Sequence, residues 1–392
     1  MTLGLLQDKF IDTRDLNYRS GVNQLLKELA FPRIHEEQNE KRDFLPSLFK
    51  KISKMTEAKI FLEKGYGSKM GITEEEYLRA DPKIYFIPHE EIFNKESVIV
   101  VRVPKNDMIS RMKPGTVLIC MLHYNTRPRL VTLLKERKIK SFSMDDMVDD
   151  WNNRIFVNYP GTSGPAIEIG FSELGKRMPY FFSEKRGPIN ATILGMGKVA
   201  QAAAKAFEIC SDKAFINTSL PGVIVRMLPS TVTSRLDLLE KLLEDTDILV
   251  DCTKRKDPSL IVVPNKLLCA LPDHAVIVDI TSDHYDRNTS PPQVKAVEGV
   301  AYGTLDRYIL DVDDPFYDTL SGLVDTTCRR VVVTCNAWPG YDPKGCMKLY
   351  EEQILPVLRV LFEKGPDGVD PESHDMYERA LARSTLDHFL SN

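Results

Sequence analysis

The chain has 392 residues, 43% of them hydrophobic and 28% charged, with a net charge of −4 at neutral pH. That length suits two domains of roughly 100–200 residues each, and so ordinary a composition excludes a disordered chain or a coiled coil. The charge balance gives no electrostatic footprint for a nucleic acid or a membrane surface, so neither is expected as a partner.

The seven cysteines (Cys120, Cys210, Cys252, Cys269, Cys328, Cys335 and Cys346) are odd in number and scattered, with no CxxC pair. This suits a reducing, cytoplasmic setting in which thiols serve as small core residues, and it shows no zinc pattern, so no metal is expected. The first 20 residues become charged too early for a signal peptide. No apolar run approaches the roughly 20 residues of a membrane span.

From residue 41 the pattern alternates. "LPSLFKKISKM" has helical period, "AKIFLEKG" reads as a strand, and "TEEEYLRA" as a short helix opened by Thr73. "VIVVRVP" and "GTVLICMLH" are buried strands, and "RPRLVTLLKERKI" is a helix that tolerates Pro128 in its first turn. From Ile189 a second series follows. "ATILG", "GVIVRML", "DILVDC", "AVIVDI" and "GVAYGTL" read as strands, with "RLDLLEKLLED" and "NKLLCAL" as helices between them. "RVVVTCNAW" and "MKLYEEQILPVLRVLFEK" close the chain as a strand-like run and a long helix. The fold class expected is α/β, with two Rossmann-like doubly wound domains. The nucleotide-binding domain, residues 161–310, is inserted between the halves of a catalytic domain, residues 1–160 and 311–392.

The stretch "INATILGMGKVAQAAAKAFEI" (189–209) is a strand, a glycine turn and an alanine-rich helix. Gly195 permits the sharp turn, Gly197 lets backbone amides approach a pyrophosphate, and Lys198 and Val199 open the helix whose positive end faces it. Ala200 stands where a third glycine often packs helix on strand. An acid that takes the ribose hydroxyls normally ends the second strand, but "VIVRMLPSTVTSR" has none. Arg226, Ser230 and Arg235 suit a 2′-phosphate instead, so NADP is expected, with NAD as the alternative.

Six motifs in order, across residues 36 to 362, give the chain its resemblance to the alanine dehydrogenase and transhydrogenase-α superfamily. Within it the chain looks closest to the opine-forming branch, such as N5-(carboxyethyl)ornithine synthase and the saccharopine dehydrogenases. In "NEKRDFLP" the resemblance makes Arg42 a clamp for a substrate carboxylate. "EKGYGSKMGITEEEYLRA" matches a structural glycine-rich stretch, with Gly65, Gly67 and Gly71 in tight turns. In "VVRVPKND" the family's catalytic lysine is replaced by Arg102, with Lys105 the nearest lysine. Either Lys105 acts from a shifted position or the proton work passes elsewhere, because a guanidinium cannot readily donate a proton. In "CMLHYNTRP" His123 matches the acid–base residue, and Arg127 and Arg129 either contact an anionic substrate or face solvent. In "VIVDITSDHYD" Asp283 matches an acid beside the reacting amine, while Asp279 is structural. In "TCNAWPGYDP" Asn336 and Trp338 would border the substrate pocket. Asp251, Cys252 and Thr253 would touch the cofactor through their backbone.

The resemblance implies an NAD(P)H-dependent enzyme that condenses an amino acid amine with a 2-oxo acid and reduces the product. A homo-oligomer is the family expectation. Two alternatives stay open: an alanine dehydrogenase-like deaminase of a small amino acid, and a nucleotide-binding protein without catalysis.

Overall fold

A computed structural model describes residues 25–320 and 322–391; the stretch examined for a signal peptide lies outside them. The first sheet has six parallel strands: β1 (Glu28–Phe31), β2 (Lys59–Glu63), β3 (Ile84–Ile87), β4 (Ser97–Arg102), β5 (Val117–Met121) and β6 (Lys140–Ser143). Their order is β3-β2-β1-β4-β5-β6. The strands read from sequence as buried runs are covered on both faces. In β4, Ile99 and Val101 join one core, and Val98 and Val100 join the other, as a period of two requires. Thr73 caps its helix (Glu74–Ala80) in a reciprocal capping box with Glu76.

The second sheet holds β7 (Ile189–Leu194), β8 (Val223–Leu228), β9 (Ile248–Asp251), β10 (Val276–Asp279), β11 (Ile309–Leu310) and β12 (Val331–Thr334). Its order is β11-β12-β10-β9-β7-β8, parallel except for β11. The architecture is therefore mixed α/β with two doubly wound sheets. The helix Pro343–Lys364 places Met347, Ile354, Leu358 and Leu361 in the core of the first sheet, beside Leu29, Phe31 and Ile60.

Four expectations need correction. The second sheet runs on to Thr334, past residue 310, because β12 pairs with β10 in its interior. "GVAYGTL" is not a strand; its Gly303 lies so close to β12 that a Cβ there would sit 2.0 Å from the Thr334 carbonyl. The helix Tyr159–Arg177 went unread, because four glycines and Pro165 mask its apolar period. Cys269 and Cys328 are not free thiols but a disulfide, with Cα atoms 5.2 Å apart. Their bond ties the end of the helix Asn265–Leu268 to the segment before β12.

The Tyr159–Arg177 helix crosses β10 at Gly170, where a Cβ would come within 2.4 Å of Val278 Cγ2. In an exposed helix Gly→Ala stabilises by about 1 kcal/mol. Here overpacking of about 1–3 kcal/mol opposes that gain. Gly170→Ala is therefore expected to lower the urea midpoint, and a rise would show that the interface relaxes freely.

Candidate active site

The strand order reverses between β1 and β4 in the first sheet and between β7 and β9 in the second. Open α/β sheets bind ligands outside the carboxyl ends of their strands at such points. Arg102 ends β4, His123 lies two residues past β5, and Asp145 lies two past β6. Adjacent parallel strands thus bring the three to one edge.

His123 has a left-handed backbone, with φ of 50°. This turns both its N–H and its ring onto Asp145: the N–H donates to Oδ1 at 3.2 Å, and Nδ1 lies 2.9 Å from Oδ2. Ser143 Oγ donates to Oδ1 at 2.9 Å, and Arg154 lies 3.4 Å from Oδ2. Burial would raise the Asp145 carboxyl, but His123, Arg154 and Ser143 outweigh it and hold it well below the usual carboxylate range. An ionised carboxylate only accepts, so Nδ1 carries a proton and Nε2 is left for proton exchange. Asp145 escaped the sequence reading because β6, "KSFS", is too short and polar to register as a strand.

Arg102 points toward Glu37, with Nη1 at 2.7 Å from Oε1. Glu37 is buried and spans the two sheets. It accepts from Asn336 Nδ2 at 2.9 Å and from the Leu305 N–H at 3.2 Å. Asn336 also donates to the Tyr302 hydroxyl at 2.7 Å, and that hydroxyl lies 3.4 Å from His284 Nε2. His284 is pushed down to about 4 by enclosure and by facing Arg127, Lys295, Arg102 and His123. His284 and Tyr302 line a cavity of about 300 Å³. Of the cations around His284, Arg102 is paired with Glu37 and Lys295 with Asp279, so Arg127 is left facing a neutral imidazole. Glu37, Lys295, Tyr302 and His284 were not read from the sequence.

Other expected residues stand elsewhere. Arg42 is buried and gives its fork to Glu40, with Nε to Oε1 at 2.9 Å and Nη2 to Oε2 at 2.5 Å. It is an internal ion pair rather than an open clamp, because an acid two residues upstream already supplies its carboxylate. Lys105 is exposed at the start of the helix Asn106–Arg111, outside the group around His284. Asp283 is held by the buried Arg255 guanidinium at 2.6 Å. Trp338 is 1% exposed and packs on Tyr308 with ring centroids 5.8 Å apart, so it is core rather than pocket wall. The turn that follows it lies on the Arg42 pair: a Cβ at Gly340 would sit 3.3 Å from both Arg42 Nε and Glu40 Oε1.

In the second sheet, Gly195 has φ of +104°, and a Cβ there would meet the Cys252 carbonyl at 2.9 Å. The Cys252 N–H donates to the Leu194 carbonyl, so the β7 and β9 ends are locked together. Gly197 caps the helix Lys198–Phe215, and a Cβ built on it meets nothing within 4 Å. Arg226 is not at the end of β8. It pairs with Thr192 across the sheet and spends its guanidinium on Asp245 at 2.8 Å and on Thr192 and Thr246, each at 3.0 Å.

Residues 34–157 match the model for the alanine dehydrogenase/PNT N-terminal domain. An alanine dehydrogenase of Methanococcus maripaludis is 25% identical over 276 residues, covering 66% of this chain and 69% of that protein. A solved L-alanine dehydrogenase matches with a TM-score of 0.65 at 17% identity, over 91% of this chain and 94% of its own. A transhydrogenase from Sinorhizobium meliloti gives 0.56 at 14% identity, over 86% and 96%. Over residues 34–157 the chain is thus similar to the alanine dehydrogenase/PNT N-terminal domain, and the whole chain shares the fold of a solved L-alanine dehydrogenase.

The residues at the carboxyl edge of the second sheet fit a nicotinamide dinucleotide. The open space beside Gly197 and the free amides at the start of an 18-residue helix suit a pyrophosphate. Behind that turn lies a buried charge cluster. Asp251 and Asp279 face each other in register, and the buried Lys295 ammonium bonds to Asp279. Enclosure and the neighbouring Asp279 push Asp251 up to about 6, against the Thr253 hydrogen bonds. Burial acts the same way on Asp279, but Lys295 overcomes it and holds that carboxyl low. The ammonium thus pairs with Asp279 alone, and Asp251 is the carboxyl that takes up a proton first as the pH falls. Asp279→Asn should therefore destabilise by about 3–5 kcal/mol, since it leaves a buried ammonium unpaired. Asp251→Asn should cost far less. Chemical denaturation of both variants at pH 7 tests this, and equal losses would refute it.

Proposed function

We propose that the protein is a nicotinamide-dependent dehydrogenase acting on the carbon–nitrogen bond of an amino acid, with His123 as its acid–base group. The observation that carries this reading is the Asp145–His123 dyad at the carboxyl edge of β5 and β6, beside Arg102, Arg127 and Lys295. Asp145 fixes the ring and its tautomer. Nε2 then carries one proton from the amine nitrogen to the carbonyl oxygen as the amine adds to a 2-oxo acid, and a second as the resulting hydroxyl leaves as water. The bound nicotinamide supplies the hydride that reduces the resulting carbon–nitrogen double bond. Arg127 holds a substrate carboxylate, with Arg102 available for a second once that carboxylate displaces Glu37, and the permanent charge of a guanidinium suits that task better than proton transfer. His284, neutral near pH 7, is a hydrogen-bonding group.

A cleft with this many cations suits a product carrying more than one carboxylate, which favours the opine-type condensation. The alanine dehydrogenase-like reading has its own support. Arg42 is spent on Glu40, which removes one clamp, and the matching relative from Methanococcus maripaludis is an alanine dehydrogenase. Oxidation of the reduced cofactor, measured over a matrix of amines and 2-oxo acids, separates them. Turnover with an amino acid amine supports the first, turnover with ammonia alone the second, and cofactor binding without turnover refutes both. His123→Ala is expected to cut turnover by roughly 10²–10⁴ with cofactor affinity retained. Asp145→Asn should also depress turnover and flatten its pH profile. Full activity in either variant would remove the dyad from the chemistry.

For cofactor choice, the turn after β8 presents Pro229, Ser230 and Thr231, then the exposed Arg235, whose surface ion pair with Asp237 at 3.1 Å is open to displacement by a phosphate. We therefore infer a preference for NADPH that rests on Arg235 and Ser230 rather than Arg226. Arg235→Ala should weaken NADPH binding while sparing NADH. Equal affinity of the parent protein for the two would count against it.

A further inference from the structure

The carboxyl edge of the first sheet has two halves. β4, β5 and β6 present Arg102, His123 and Asp145, which the proposed reaction uses. β1, β2 and β3 present a second set that it does not. His35 follows β1, Glu63 ends β2, and His89 follows β3 after one proline. A ring nitrogen of each histidine and a Glu63 oxygen lie within 4.8 Å of one another. His35 Nε2 is 2.5 Å from Glu63 Oε1, and His89 Nδ1 is 3.1 Å from Oε2. The rings meet edge to face with centroids 4.8 Å apart.

We propose that these three side chains form a binding site for a divalent transition-metal cation of the zinc class. Two imidazoles and one carboxylate make a borderline donor set that suits zinc and its neighbours, whereas magnesium and calcium favour sites built wholly of oxygen. The carboxylate is fixed in advance: Glu63 has a side chain only 3% exposed, and its Oε2 accepts the Arg33 N–H at 2.9 Å. The His35 side chain is 45% exposed, which gives an entry path and room for water to complete the coordination shell. Three converging protein ligands with an open side are the arrangement of a metal site that keeps an exchangeable position. Without metal each ring bonds to Glu63, so one cation replaces two bridging protons and leaves no buried acceptor stranded.

The site bears on the cleft through the chain itself. His35 opens the loop that carries Glu37 and Glu40, and Lys69 Nζ already clamps that loop through the carbonyls of Ile34, Glu37 and Glu40 at 3.1, 2.8 and 3.1 Å. A metal on His35 would pin the loop's first residue to β2 and β3, and so stiffen the support of Glu37.

The test is calorimetric titration of the untagged full chain with zinc alone, repeated with His35→Ala, His89→Ala and, as a reference for adventitious surface binding, His374→Ala. The expected result is one zinc per chain, binding weakened at least roughly tenfold by either ligand variant, as loss of even outer-shell support of a metal typically costs, and unchanged by His374→Ala. Cobalt should give visible absorption bands in the parent chain that both ligand variants lose. His35 is exposed, so its variant keeps the test independent of folding. The absence of stoichiometric binding, or equal binding by the parent and both ligand variants, would overturn the proposal and leave a hydrogen-bonded trio only.

Discussion

One buried carboxylate connects the two halves of the molecule. Glu37 leaves the carboxyl edge of the first sheet and meets three partners: it forms an ion pair with the Arg102 guanidinium of its own sheet, and accepts from the Asn336 amide and Leu305 N–H beyond the second. Asp306 reinforces this from the other side by accepting the N–H groups of Gln38 and Asn39 at 2.9 and 2.7 Å. Removing a buried charge's partner costs far more than removing an exposed one. These polar contacts fasten the loop after β1 to the second sheet at the cleft.

The sequence was most informative where packing is periodic. Strands covered on both faces appear as unbroken apolar runs, and the turn at Gly195 follows from a backbone that must pass close to the Cys252 carbonyl. It was least informative where short polar strands do the positioning. β1 and β6 have four residues each, and β6 carries two serines. Yet β6 is what delivers Asp145. The helix Tyr159–Arg177 was hidden for the opposite reason: its glycines serve close helix–sheet contact, and intrinsic propensity argues against them.

The site residues divide along the same line. His123 and Arg102 were legible because each ends a recognisable strand. Arg42, Arg226 and Asp283 misled because a sequence shows a charge but not its partner. Each has a partner of its own: Glu40, the Asp245–Thr192–Thr246 group, and Arg255. A buried cation or anion almost always has an internal counterpart. Assigning a charged residue to a ligand therefore requires that no nearer side chain claims it, which only the fold can show.

The burial of Trp338 gives the molecule a built-in optical probe. The chain has two tryptophans. Trp151 is 81% exposed, and Trp338 is 1% exposed with its indole N–H unpartnered among the described residues, in an apolar setting. Their emission should separate, with a red component from the solvated ring and a blue one from the enclosed ring. Trp338 begins the turn whose Gly340 rests on the Arg42–Glu40 pair. Its fluorescence therefore monitors the junction between the two sheets directly, without a label.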